Sequence, residues 1–324
     1  MPKKVTMQMI ADALGITKVS VSKAFNNRPD VSDELREKVL VTARSMGYVR
    51  RPRAGSRGTI HLGFLQRKET FSGDGFYAGI YHRLMQRCSP RKIHLHLHLV
   101  GEDEENNLEL PFPFEQNLLD GVFVGGELGS AYLDKIQSYG NPTITIGFYE
   151  MLNDIDAVGV DDYYNANQIA NALVNMGYDT IGYIADTERT HALLDRYYGY
   201  VKALKENNLE YRPEWVISDF DQLGHIITDY QLPKTLPRAF MCRCDSAAYH
   251  LTARLRRRGM RIPQDVAVTS FDATEMAKNS GCVIGLEVTP EKFADAAWDR
   301  MFWRQMNPDQ EHQRVIINAP LVYL

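Results

Sequence analysis

The sequence predicts an α/β protein: an N-terminal helix-turn-helix domain of three helices, then a body of two doubly wound parallel-sheet subdomains. Three observations predict it. Charge is split along the chain, because residues 1–58 hold twelve Lys and Arg against five Asp and Glu, whereas the remainder carries −11 of a net −4. A small basic head on a large acidic body suits polyanion binding by the head alone. The first 47 residues contain three short capped helical patterns, and from Ile60 onward short apolar runs alternate with amphipathic stretches. At 324 residues, 44% hydrophobic and 24% charged, the chain exceeds one ordinary domain and can bury a real core. No stretch approaches about 18 consecutive apolar residues, and the opening MPKKVTMQMI lacks the apolar core of a signal peptide, so no membrane partner is expected. Cys88, Cys242, Cys244 and Cys282 are too scattered for a disulfide framework, which fits a cytoplasmic location.

Thr6 can cap a first helix with Met9, Ile10, Ala13 and Leu14 on one face, ended by Gly15. Thr17 can cap a second, with Val21, Ala24 and Phe25 inward, and Ser32 a third, striped by Leu35, Val39, Ala43 and Met46. The spacing Ala11, Gly15, Val21 is that of a helix-turn-helix: a small residue permits close approach, Gly the turn, and a branched aliphatic fills the gap. The outer face of the second helix then shows Lys18, Val19, Ser22 and Lys23, where a recognition helix meets base edges. Thr6, Ser20, Ser22 and Asn26 are short donors suited to phosphate oxygens. The simpler alternative is a purely structural three-helix bundle.

These residues resemble the head of the LacI/GalR family of transcriptional repressors, whose pattern is V-T-hydrophobic-x-D-V-A-x-x-A-G-V-S-x-x-T-V-S-R-x-x-N. Val5-Thr6-Met7, Ala11, Gly15, Val19-Ser20-Val21-Ser22-Lys23 and Asn26 follow it, and the likeness continues through Val31-Ser32, Arg36-Glu37-Lys38-Val39 and Gly47-Tyr48. The resemblance implies that Lys18, Val19 and Lys23 choose the operator. Lys23 stands where the family has Arg, giving a point charge in place of a bidentate fork. The segment 50–58 carries Arg50, Arg51, Arg53 and Arg57 with Pro52, Gly55 and Gly58, which favour phosphate and oppose a helix. The family's hinge helix wedges a leucine into the minor groove, but no leucine occurs here between Leu40 and Leu62. A basic strap touching phosphates through Arg50, Arg51 and Arg53 is expected, with a plain flexible linker as the alternative.

In the body, strands are predicted at Ile60–Leu65, Ile93–Val100, Gly121–Val124, Thr143–Ile146, Thr180–Ile184, Ala239–Met241 and Val266–Phe271. Helices are predicted between them, at Tyr77–Arg87, Ala131–Ser138, Ala166–Met176, Arg196–Asn207 and Ala247–Arg258. Such alternation means parallel sheets with helices on both faces, and two facing half-domains would hold a small molecule beyond the strands' carboxyl ends. Val158-Gly159-Val160-Asp161, Arg196-x-x-Gly199-Tyr200 and Gly259 through Asp272 again resemble the LacI/GalR family, implying its periplasmic-binding-protein-like body. The expected division is 1–49 head, 50–58 hinge and 59–324 body, with subdomains 59–158 plus 287–312 and 159–286 plus 313–324. The resemblance places effector contacts at Phe76, Tyr77, Arg196, Phe220, Asp245 and Asp272.

Other signals read as structure. His94, His96 and His98 share one face of a strand, which reads as the polar face of an edge strand, with a metal site as the alternative. Gly125-Gly126-Glu127-Leu128-Gly129 lacks dinucleotide-loop spacing and reads as a turn, and Cys242-x-Cys244 has neither redox nor zinc spacing. No P-loop, H-E-x-x-H, G-x-S-x-G or deaminase signature occurs, so no catalytic residue, metal ligand or cofactor is expected. The resulting expectation is a homodimeric repressor on a pseudo-palindromic double-stranded DNA operator, controlled by a small molecule such as a sugar or sugar derivative. A ligand-independent DNA-binding protein and an α/β enzyme with a DNA-binding head are the alternatives.

Overall fold

The computed structural model describes residues 5–25, 30–46, 48, 59–71, 75–115, 118–149, 154–221 and 225–324. The expected DNA contacts at Asn26, Arg50, Arg51 and Arg53, and the hinge itself, lie outside the described residues.

The head consists of α1 (Met7–Leu14), α2 (Lys18–Phe25) and α3 (Asp33–Ser45). The Thr6 hydroxyl accepts from the Met9 amide at 3.3 Å, and Gly15 ends α1 with a left-handed φ of 65°. Ile10, Ala11, Val21, Ala24, Phe25, Val39 and Ala43 form the core, and Phe25 stacks on Tyr48 with ring centroids 5.4 Å apart. One expectation fails here: Ala13 faces solvent. The buried face of α1 runs through Ile10, Ala11 and Leu14, because Ala11 must meet Val21 across the turn.

The body begins with β1 (Ile60–Arg67), α4 (Lys68–Phe71), α5 (Phe76–Cys88), β2 (Ile93–Val100), α6 (Glu102–Asn106), α7 (Phe112–Glu115), β3 (Gly121–Gly125), α8 (Ser130–Gln137), β4 (Thr143–Ile146) and β5 (Asp156–Gly159). The chain continues through α9 (Asp162–Asn175), β6 (Ile181–Ile184), α10 (His191–Glu206), β7 (Val216–Ile217), β8 (Ala239–Cys242), α11 (Asp245–Arg257), β9 (Ala267–Thr269) and α12 (Glu275–Ser280). It closes with β10 (Ile284–Leu286), α13 (Pro290–Met306), β11 (Arg314–Ile316) and β12 (Leu321–Tyr323). A six-stranded sheet in the order β11-β5-β4-β3-β1-β2 forms the first lobe, and a four-stranded sheet β7-β6-β8-β9 forms the second. Every pairing within these two sheets is parallel. The antiparallel pair β10-β12 completes the strands.

Strand alternation fills both faces of the first sheet. Leu62 and Phe64 join Ile80 and Leu84 of α5 and Trp298 and Met301 of α13, whereas Leu65, Val122 and Val124 join Phe114, Tyr132 and Leu133. The late crossing differs from the expected division. Residues 314–316 pair with β5 and belong to the first sheet, and only β12 returns to β10. The register Val315 to Val158 seats the apolar β11 on an edge that residues 313–324 as one block would leave open.

α13, absent from the predicted helices, is the longest helix in the described residues. Its face buries Arg300 and Arg304, which converge on Asp156 of β5. That carboxylate also accepts from the Gln313 amide at 2.9 Å. Burial pushes its pKa up, but the hydrogen bonds from Arg304 and Arg300 outweigh burial and hold it below the ordinary value.

The histidine strand is an edge strand, β2, as expected. Its row is not simply solvated: His61 of β1 joins it, with Nδ1 3.0 Å from His96 Nε2 and its ring stacked on His94. Burial, then the neighbouring imidazole, lowers the pKa of His96 and of His98. Among the described residues, no group of three or more His, Cys, Asp or Glu is placed to hold a metal ion.

Candidate functional site

The head presents α2. With Val21, Ala24 and Phe25 turned inward, Lys18, Val19 and Lys23 lie outward, Val19 at 63% exposure. An apolar side chain so exposed on a short helix is suited to contact with a thymine methyl. Ser20 and Ser22 are half-buried; the Thr17 hydroxyl accepts from the Ser20 amide at 3.0 Å, fixing the first turn. Thr6, at the cap of α1, is exposed. Lys23 Nζ lies 2.6 Å from Asp30, a pairing the sequence did not suggest. Both partners are about half exposed, so releasing the lysine to a base costs roughly 0–1 kcal/mol.

In the body, strand order reverses between β1 and β3 in the first sheet and between β6 and β8 in the second, the positions beside which open α/β sheets bind ligands. On the second lobe, Arg196 of α10 is the centre. Its Nε donates to Asp162 at 2.7 Å, its Nη1 to the Arg243 carbonyl at 2.6 Å, and its guanidinium lies 3.5 Å from the Phe271 ring centroid. Burial alone would lower its pKa, but the Asp162 charge, followed by that of Asp272, more than offsets this and keeps the cation. Arg243, following β8, donates from Nε to Asp219 at 2.8 Å and lies 4.7 Å from the Phe220 ring. Arg189 approaches the same ring at 5.0 Å. The Tyr183 hydroxyl, fully buried and within electrostatic reach of both ion pairs, finds no hydrogen-bond partner among the described residues. Neither does Asp219 Oδ1. Burial pushes the Tyr183 phenol up, so it stays protonated as a donor.

Of the predicted effector residues, Arg196, Phe220 and Asp272 share this network. Asp245 does not serve as expected. Its carboxylate accepts from the Ser270 hydroxyl, from the Asp272 amide at 3.3 Å, and from the Thr274 amide at 2.7 Å and hydroxyl. A buried carboxylate committed to four donors braces the 270–274 turn and so holds Asp272 in place. Phe76 and Tyr77 lie on the other lobe at the start of α5. Phe76 packs edge-on against Phe293, and the Tyr77 hydroxyl donates to the Ile146 carbonyl at 3.5 Å. A Cβ on Gly147 would fall 2.6 Å from that hydroxyl, so the glycine admits the ring.

Sequence reasoning missed two polar contacts between the lobes. Glu127, in the turn after β3, accepts from the His191 amide at 3.1 Å and lies 3.0 Å from its Nδ1. Tyr149, after β4, donates to Asp195 at 2.8 Å. Asp162 and Arg243 were legible only as neighbours of motif positions. Beside the arginine network, a small recess is lined by Phe148, Tyr149, Val160, Asp162, Arg314 and Ile316.

Comparison with known proteins agrees with this architecture. Residues 170–323 match the periplasmic binding protein-like domain. The chain is 27% identical over 279 residues to the NTD biosynthesis operon regulator NtdR of Bacillus subtilis, covering 82% of each chain. It is 23% identical to the ribose operon repressor of Haemophilus influenzae, covering 98% of this chain and 97% of that one. Among solved structures, the transcriptional regulator CelR–cellobiose complex superposes with a TM-score of 0.68 at 21% identity over 98% of both chains. The transcription regulator CcpA of Lactococcus lactis does so at 0.66 and 17% identity, over 82% of this chain and 97% of that one. In its helix-turn-helix head and its two-lobed parallel-sheet body, the chain is similar over nearly its whole length to transcriptional regulators of the LacI family.

Proposed function

We propose that the chain represses transcription as a homodimer on a pseudo-palindromic operator, in the cytoplasm, and that a small molecule held between the lobes sets its operator affinity. The carrying observation is the outward Lys18–Val19–Lys23 face on a helix whose inner side is locked by Ala11 and Val21. Thr6, Ser20, Ser22 and Asn26 are assigned to phosphates, with Arg50, Arg51 and Arg53 of the segment outside the described residues. In the body, Arg196, Phe220 and Asp272 are assigned to the effector from the second lobe, and Phe76 and Tyr77 from the first. A guanidinium, a carboxylate and aromatic rings suit a sugar or sugar derivative. Relatives named for ribose and solved with cellobiose favour the same class.

Binding of the effector shifts the lobe angle, and with it the spacing of two heads, only if the effector prefers one arrangement. The test is a thermal-shift screen of sugars, sugar acids and purines, followed by operator titration with and without each hit. A hit that raises the midpoint and changes operator affinity is expected. A hit with unchanged operator affinity would remove the coupling.

A further inference from the structure

We infer that Glu127 and Tyr149 form a two-point latch that joins the lobes by gripping one face of α10. The inference rests on the reading of the body as a two-lobed sensor. His191 and Asp195 are four residues apart, hence one above the other on that helix. Each is held by a residue of the first lobe: His191 by Glu127, and Asp195 by Tyr149. The next residue, Arg196, begins the network of the second lobe, so the latch and the arginine are on consecutive positions of one rigid element.

Both grips are prepared in advance. Arg67, at the end of β1, donates from Nε to the Glu127 carbonyl at 2.8 Å and pairs with Glu105 at 2.6 Å. Glu105 in turn accepts from the Gly129 amide at 2.6 Å. The turn from Gly126 to Gly129 is therefore fixed on the first lobe before its carboxylate reaches across. The carboxylate meets an amide at the start of a sixteen-residue helix, where the helix dipole favours negative charge. Tyr149 is likewise steadied, with the Arg314 guanidinium 3.9 Å from its ring centroid. Burial, then the bond to Asp195, pushes the phenol up to about 12, so it remains a donor throughout the neutral range. An effector that opens the cleft must break these contacts, whereas one that closes it further adds to them.

The test uses effector-free full-length protein and the double variant Glu127→Ala/Tyr149→Phe, with the near-isosteric Glu127→Gln and Tyr149→Phe alone to guard against misfolding. Backbone amide exchange is read at residues 191–195, and the radius of gyration by solution scattering. Exchange about tenfold faster or more at 191–195, with a larger radius and unchanged exchange in β8 and α11, is expected. Unchanged exchange and radius in the double variant would overturn the latch. Faster exchange spread equally through β8 and α11 would overturn it too, since the contacts would then support the whole second lobe. Failure of the wild-type protein to bind DNA would instead strike the repressor reading and leave this result intact.

Discussion

Lys23 illustrates how a single residue can be read twice. Its place in the family pattern assigns it to a base, and the fold leaves it at the surface beside Asp30. Lys18→Ala and Lys23→Ala are expected to relax operator choice, costing about 1–3 kcal/mol against the preferred base and little against others. Arg51→Ala, in the basic segment, should weaken all sequences alike and reduce the salt slope by about one. Titrations on base-substituted operators at two salt concentrations separate the two. Asp265 offers a pH test. Three bonds from Arg261, led by the side-chain ones, lower its pKa from 3.8 to about 2. A depressed folded pKa means stability that is complete above about pH 4 and is lost as pH falls through 2. Asp265→Asn should therefore flatten the acid limb of the thermal midpoint between those values.

At the scale of elements, close approach and buried charge decide most. Gly199 on α10 faces α9 so closely that a Cβ would lie 2.2 Å from the Tyr163 carbonyl and 2.9 Å from Ala166 Cβ. Gly199→Ala is expected to part the helices and cost about 1–3 kcal/mol in chemical denaturation. The sequence marked that glycine through its motif, though not its reason. No helix is predicted over α13, and nothing local in the sequence marks Arg300 and Arg304 for burial beside Phe293, Ala297 and Met301. Asp156, 144 residues away from Arg300, makes their burial tolerable. Asp156→Ala would strand two guanidiniums, and a loss of about 3–5 kcal/mol in equilibrium unfolding is expected.

For the whole molecule, the decisive contacts join distant parts of the chain. Glu127 and His191 are 64 residues apart, and Tyr149 and Asp195 46 apart, so no local pattern brings them together. These contacts also fix which face of α10 meets the first lobe. Operator affinity is expected to respond to any ligand that favours one lobe arrangement, and comparing titrations with and without that ligand checks the linkage.

Local chemistry alone determined the three capped helices of the head, the outward lysines, the alternation of strand and helix, and the family's motif positions. Those features depend on periodicity, caps and glycine, which act within a few residues. Tertiary structure decided that Asp245 braces a turn, that residues 314–316 complete the first sheet, and that a carboxylate and a phenol join the lobes. Each of these depends on which buried polar group finds a partner, and such partners come from far along the chain.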